Sequence, residues 1–263
     1  MEEFSNKRFN EELRLFFKEN NLSPLERDGI LLFEKYNLAL YPTALLESKD
    51  EYSNEIEFIV LHQDLWFNKG KIVKNSLLAR LGRGEKIGAR ECSIKKIGSL
   101  VAKEFFEANH LLGYARSKYH YALYYKGEVA AAASFSSSRE MVRGGRRINS
   151  FEWVRYASLG SSRVVGGMGK LLSHFIREVN PCEIMSYACR EWSRGDSYKK
   201  LGFRQVGITP PVEFWIEKKS LKRYPFKRAL LLSRSGNPKL ILESGVKSKN
   251  LGNYKFLLEL YNL

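Results

Sequence analysis

The stretch Phe151–Leu172 constrains the fold more than any other part of this 263-residue chain. Phe151-Glu-Trp-Val-Arg-Tyr-Ala157 has the pattern of a strand. Val164-Val-Gly-Gly-Met-Gly-Lys-Leu-Leu172 then turns through glycines into an amphipathic helix predicted over Met168–Val179. Glycines let a backbone approach a ligand closely, and the first N–H groups of a helix point at whatever anion sits there. A strand–glycine turn–helix of this kind suits a pyrophosphate, with Lys170 as a nearby cation. The spacing is neither the GxxxxGK[ST] of a P-loop nor the GxGxxG of a dinucleotide turn. Glycines at such a turn also serve plain helix–strand packing, so the turn needs support from its surroundings.

Those surroundings alternate strands and helices. A helix is expected from residue 99, with Ser99 as its N-cap, to Asn109. Ile87–Ile97 reads as one bent strand, and Tyr121–Tyr125 and Val129–Ser136 flank the hairpin turn Lys126-Gly127-Glu128. Arg139–Arg147 reads as an arginine-rich loop tip. Ile184–Ala188 is a short strand, and Asp196–Lys200 a helix stopped at Gly202. Ahead of this, residues 6–20 have helical apolar spacing, Ile30–Phe33, Leu38–Tyr41 and Ile56–His62 are strand-like, and 69–81 reads as a basic helix. The fold class is α/β (α+β). The glycines near 82–88 place a boundary between a unit at 1–86 and a second at 87–263. The tail from Pro210 adds two or three short strands.

Charge is distributed unevenly. Residues 1–86 carry 13 Lys/Arg against 15 Asp/Glu, whereas 87–263 carry 31 against 14, so the net +15 arises entirely in the later two-thirds. A field of that sign attracts polyanions, nucleic acid above all. It serves equally as a solubilising surface. Cys92, Cys182 and Cys189 form no disulfide or zinc pattern, and the four histidines have no metal spacing, so no metal is expected. No run reaches the roughly 18 apolar residues of a membrane helix, and the start has no signal-peptide pattern, which makes the cytoplasm the expected compartment.

Two strings resemble the GNAT acyltransferase superfamily. Val164-x-x-Gly167-x-Gly169 matches its pyrophosphate turn, with Val where Gln or Arg is usual. Tyr198-Lys-Lys-Leu-Gly-Phe203 matches the end of its last helix. A resemblance over residues 55–260 is to the Mom-like GNAT module of phage Hef-like proteins, which carry a Vsr-type nuclease in front. Its strings include Asp64-Leu-Trp66, Ala89-Arg-Glu-Cys92, Asn109-His-Leu-Leu-Gly113, Tyr187-Ala-Cys-Arg-Glu-Trp-Ser-Arg-Gly195 and Gly252-Asn-Tyr-Lys-Phe256. The resemblance implies a GNAT fold with a mixed central sheet, preceded by a small degenerate Vsr-like α/β segment, acetyl-CoA or another acyl-CoA as co-substrate, and a DNA-base amine as acceptor in a bacterial or phage-infected cell. Ile30 and Tyr41 stand where that nuclease has metal-binding Asp and Glu, which argues against cleavage by this segment. Cys189 replaces the group's usual Asp.

Candidate site residues follow. Backbone at Val154, Tyr156, Val165, Gly166, Gly167, Met168, Gly169 and Lys170 is expected to cradle acyl-CoA, the 154–157 strand taking the thioester and pantetheine arm. Tyr198 is the candidate acid for the departing thiolate, and Glu152 and His110 are candidate bases for the amine. Each also has a packing or ion-pair alternative, and Cys189 is a weaker nucleophile candidate. Arg139, Arg143, Arg146 and Arg147 form one candidate DNA contact, and Lys222, Arg223, Lys227 and Arg228, interleaved with Tyr224 and Phe226, another. Trp192 and Trp215 are possible stacking faces. Acylation of a protein or small amine, and DNA binding without catalysis, remain the two alternatives.

Overall fold

The computed structural model describes residues 5–45, 52, 56–233 and 243–260. In chain order the elements are α1 (Asn6–Glu19), β1 (Leu25–Arg27), β2 (Ile30–Phe33), β3 (Leu38–Thr43), β4 (Glu57–His62), α2 (Gln63–Asn68), α3 (Gly70–Arg80), β5 (Lys86–Gly88), β6 (Ser93–Lys96) and α4 (Ser99–Asn109). There follow β7 (Tyr119–Tyr125), β8 (Glu128–Phe135), β9 (Arg139–Arg143), β10 (Arg146–Ser158), β11 (Arg163–Val165), α5 (Gly167–Val179), β12 (Glu183–Cys189) and α6 (Asp196–Lys200). The last are β13 (Arg204–Ile208), β14 (Glu213–Glu217), β15 (Arg223–Pro225), α7 (Phe226–Ser233), β16 (Gly245–Lys249) and β17 (Asn253–Glu259). None of the described helices is long and apolar enough to cross a membrane.

The chain forms two compact units, and the boundary is not the single cut at residue 86 expected from the glycines. One unit combines Met1–Gly70, Cys189–Arg194 and Thr209–Asn253; the other combines Lys71–Ala188, Gly195–Ile208 and Tyr254–Leu263. The backbone therefore leaves the second unit at Cys189, returns at Gly195, and leaves and returns again through Thr209–Asn253.

The first unit has a sheet ordered β1-β2-β3-β4, antiparallel except for the parallel pair β3·β4, and a three-stranded sheet β15-β14-β16. The α1 stripe of Phe9, Leu13, Phe16 and Phe17 is buried, with Phe16 edge-on to Trp66 at 5.5 Å. Two buried polar contacts lie inside it: His62 Nε2 is hydrogen-bonded to Glu191 Oε1 at 2.9 Å, and Arg223 forks onto Asp64 at 2.7 Å through both nitrogens. Ile30 opens β2 half-buried, and Tyr41 is buried on β3 against Tyr52 and Phe58. Among the described residues no group of three His, Cys, Asp or Glu could hold a metal ion.

The second unit is built on a mixed sheet ordered β13-β17-β12-β10-β8-β7-β6, with β9 paired to the start of β10. Strands β6·β7·β8·β10 are antiparallel, whereas β10·β12 are parallel. Helix α5 covers one face. Its Phe175 stacks on Phe135 at 3.9 Å and meets Phe151 and Tyr119 edge-on. Helix α4 covers part of the other face, packing Phe105, Phe106 and Ala102 against Ala122, Ala132 and Ala157. Alanines on three adjacent strands let a helix lie close to the sheet, and burying two phenylalanines there contributes several kcal/mol by transfer from water, at about 2–3 kcal/mol each.

Several expected elements take a different form. The strand expected over Ile87–Ile97 is two strands in different sheets, with a 3-10 turn at Ala89–Glu91 between them. Ser99 is the first helical residue rather than the N-cap; Gly98 caps α4 without a side-chain bond. Arg139–Arg147 is the β9–β10 hairpin, its turn made by Gly144-Gly145.

Candidate functional site

The candidate site begins where β10 and β12 part. Their parallel register runs from Ser150↔Glu183 to Trp153↔Ser186 and stops there. On its other side β10 bulges between Trp153 and Arg155, because Trp153 faces Phe135 while Arg155 faces the next residue back, Ser134. An extra residue, Val154, is thereby pushed out of the ladder beside the opening. Three side chains hold this bulge. Ser186 Oγ donates to the Trp153 carbonyl at 2.9 Å, Arg155 Nη1 to the Val154 carbonyl at 2.8 Å, and Trp153 Nε1 to the Arg155 carbonyl at 3.0 Å. These bonds engage the three carbonyls, which leaves the peptide N–H groups around the bulge as the candidate donors at the opened edge. That is the polarity a thioester carbonyl or a pantetheine amide needs.

Tyr198 closes the inner end of the opening. Its hydroxyl lies 2.9 Å from Ser186 Oγ, and its ring stacks on Phe256 and meets Trp153 edge-on. Ser186 Oγ is placed to donate both to the Trp153 carbonyl and to the Tyr198 oxygen, its single proton serving one of the two at a time. Burial raises the phenol's pKa and Ser186 partly offsets it. The group thus retains its proton at neutral pH, as a donor to a thiolate must.

The glycine turn follows the C-terminal end of β10, beyond β11. Strand β11 pairs in parallel with β5, Val165 opposite Gly88, which fixes the chain just before the turn. Gly166 caps α5 at φ +78°, a left-handed conformation that costs an L side chain roughly 1–2 kcal/mol. No side chain caps the helix, and the first turn-closing bond is Lys170 N–H to the Gly166 carbonyl at 3.0 Å. The N–H groups of Gly167, Met168 and Gly169 therefore head the helix without an intrahelical partner. Val165 is 54% exposed and Gly166 is exposed, so this positive end faces solvent. Gly167 is buried; a Cβ there would come within 3.0 Å of Tyr156 Oη and Val164. This arrangement fits a diphosphate at the helix start, which the chain reaches from the bulge through the end of β10 and then β11.

Other expected residues have different surroundings. Lys170 is not a free cation, since its ammonium donates to the carbonyls of Ala89 and Cys92 and so ties α5 to the 89–92 turn. His110 is the C-cap of α4, its Nδ1 accepting from Leu112 N–H at 3.1 Å. Burial, aided by the Arg155 charge, lowers its pKa to about 3, too weak for a base near neutrality. The Cys189 thiol is pushed up to about 12, by burial first and the Glu191 charge second, which leaves it protonated and unreactive. Glu152 lies on β10 opposite Met185, half-buried near Arg155 and Tyr187, and is the expected base nearest the opening.

The basic clusters also divide. Arg143 forks onto Glu183, which is fully buried and also accepts from Ser150 Oγ at 2.7 Å, so this arginine is structural. Arg139, Arg146 and Arg147 are exposed, and Arg147 pairs only loosely with exposed Glu140 at 3.2 Å. In the other cluster Arg223 is committed to Asp64, while Lys222, Lys227 and Arg228 are exposed on the first unit. Trp215 is buried and Trp192 half-buried. The residues that sequence reading missed are Ser186 and Arg155, whose roles follow from a bulge and a strand register, and the Lys86–Cys92 segment behind the glycine turn.

No protein-family model matches the chain, and no curated protein does. Among solved structures, it is similar to a GNAT family acetyltransferase from Elizabethkingia anophelis with acetyl-CoA bound, at 15% identity and TM-score 0.40, over 65% of this chain and 99% of that one. The same identity, coverage and TM-score are found for a Bacillus subtilis acetyltransferase in complex with CoA. The ribosomal-protein-S18-alanine N-acetyltransferase of Escherichia coli aligns at 12% identity over 65% of this chain and 96% of that one, TM-score 0.39.

Proposed function

We propose that the second unit is a GNAT-type N-acyltransferase that uses acetyl-CoA or another acyl-CoA. The observation that carries this reading is one strand, β10, bearing a side-chain-pinned bulge at its opening from β12 and leading through β11 into the uncapped helix start at Gly166. The diphosphate would lie on the N–H groups of Gly167–Gly169 and the pantetheine arm along residues 154–157. The thioester carbonyl would be polarised at the bulge. Glu152 is the group available to take the acceptor's proton, and Tyr198 the group that protonates the departing thiolate; Ser186 Oγ can donate to the tyrosinate so formed, which regains a proton from solvent as Glu152 releases its own. Acyl-CoA supplies the activated carbonyl; the chain supplies orientation, N–H donors and two proton-handling side chains.

For the acceptor we favour an amino group on a DNA base. The support is the net charge of +15 together with the exposed Arg139, Arg146 and Arg147 on the β9–β10 hairpin, which runs directly into the strand bearing the bulge. Two measurements test the reading in order. Calorimetry with acetyl-CoA should show saturable binding, and nucleosides from DNA of expressing cells should carry a new acylated base by mass spectrometry. Binding without a modified base would redirect the acceptor to a protein or small amine. Failure to bind acetyl-CoA at millimolar concentration would end the acyltransferase reading.

A further inference from the structure

The string Asn109-His-Leu-Leu-Gly113 stands out in the sequence, and its histidine is too weak a base to explain it. The loop is instead held at several points. Asn109 Oδ1 accepts from Gly160 N–H at 2.9 Å, which ties the end of α4 to the chain leaving β10. His110 Nδ1 accepts from Leu112 N–H, and the Gly113 N–H donates to the His110 carbonyl at 2.8 Å. Glu107 Oε1 accepts from Tyr114 N–H at 3.1 Å. Gly113 is at φ +63°, and a Cβ there would come within 2.6 Å of the Glu107 carboxylate, so no other residue fits without moving that carboxylate. The last tie is Arg155, whose Nε donates to the Gly113 carbonyl at 2.9 Å while its Nη1 donates to the Val154 carbonyl.

One planar guanidinium thus grips the 110–114 loop with one arm and the bulge residue with another. We propose that Arg155 is a positioning residue which couples the loop to the bulge, so that the peptide N–H groups facing the thioester carbonyl are aimed only while the loop is in place. This rests on the acyl-CoA reading above and adds to it a device for thioester recognition. Lysine cannot substitute, because a single ammonium has no rigid fork to span the two carbonyls. Pulling on the loop from its far side, at Gly113, should therefore disturb the bulge as directly as removing Arg155.

The test is calorimetry with acetyl-CoA and with CoA on the full chain. Both ligands share the Gly166–Gly169 turn and the pantetheine arm along residues 154–157, but only acetyl-CoA adds a thioester carbonyl at the bulge. Wild type should prefer acetyl-CoA by about fivefold, the worth of one net hydrogen bond. Arg155→Lys, Arg155→Ala and Gly113→Ala should each bring the two affinities to within about twofold of each other, beyond any loss that both ligands share along residues 154–157. Hydrogen exchange on Arg155→Lys, the variant that keeps charge and stem, should show faster exchange at 110–114 and 153–157 together. The proposal is overturned if the variants keep the wild-type preference, if wild type has no preference, or if only one of the two segments loosens. Should wild type bind neither ligand, the acyl-CoA reading fails, and that result is distinct from a lost preference.

Discussion

Gly166→Asp isolates the electrostatics of the proposed diphosphate site. The position is exposed, and its φ of +78° is one that Asp and Asn tolerate better than other L residues. A Cβ there would meet only Ala89 Cβ at 3.5 Å, an ordinary contact, so the variant should fold. A carboxylate at the helix start would stand about 5 Å from a bound phosphate. Coulomb's law then gives a repulsion from about 0.8 kcal/mol per charge pair in water to about 3.3 at an effective dielectric of 20. Exposure favours the lower half of that range, or roughly a tenfold loss of affinity. With acetyl-CoA at 100 times its wild-type Kd, ligand binding stabilises wild type by about 2.7 kcal/mol and such a variant by about 1.4. At roughly 2–4 °C per kcal/mol, the melting shift should fall from about 5–10 °C to about half that. Gly166→Asn has the same shape and backbone tolerance without the charge, and should keep most of the wild-type shift. The gap between Asp and Asn should widen at low ionic strength. Equal shifts for Asp and Asn in differential scanning fluorimetry would refute an anion at this helix start.

Three further outcomes follow from the geometry. Replacing Arg143 with Ala leaves Glu183 charged and buried, so urea unfolding should show a loss of about 3–5 kcal/mol, largely recovered in the Arg143→Ala/Glu183→Ala pair; a loss under 1 kcal/mol would contradict the structural role. Because folding lowers the His110 pKa from 6.5 to about 3, the unfolded chain takes up its proton first, and His110 contributes stability that is present above about pH 6.5 and lost as pH falls toward 3. Thermal melts across that window should therefore fall less steeply for His110→Gln than for wild type, and equal slopes would show that the group is not desolvated. Changing Arg139, Arg146 and Arg147 together to Ala should reduce the log–log salt slope of DNA binding by roughly 2.5–3 in a filter-binding assay, with acetyl-CoA affinity unchanged; an unaltered slope would remove the hairpin from the nucleic-acid reading.

Local pattern was a good guide where local forces decide the structure. The α1 stripe Phe9, Leu13, Phe16, Phe17 and the run from β10 through the glycine turn into α5 are legible because helix period and glycine torsion are properties of neighbours in sequence. What was not legible depends on partners far along the chain. Lys170 and Arg143 look like free cations until the carbonyls of Ala89 and Cys92 and the carboxylate of Glu183 are brought to them by the fold. His110 looks like a base until burial is counted. The bulge at Val154 leaves no mark in composition, since it is a one-residue offset between two strands.

The interleaving of the two units has a consequence for how the protein is made. A chain emerging from the ribosome would release residues 1–70 long before Thr209–Asn253, which complete the same unit, and would release β12 long before β17, its neighbour in the sheet. Neither unit can therefore close while synthesis is at its midpoint. Strand β4, whose Val60 N–H donates to the Glu191 carbonyl, must wait with that partner unmade. Contacts between segments so far apart in sequence fold slowly and leave strand edges exposed meanwhile. A cut at residue 86 would separate β1–β4 from β14–β16, so recombinant halves divided there should be poorly soluble, whereas co-expressed or intact chains should not.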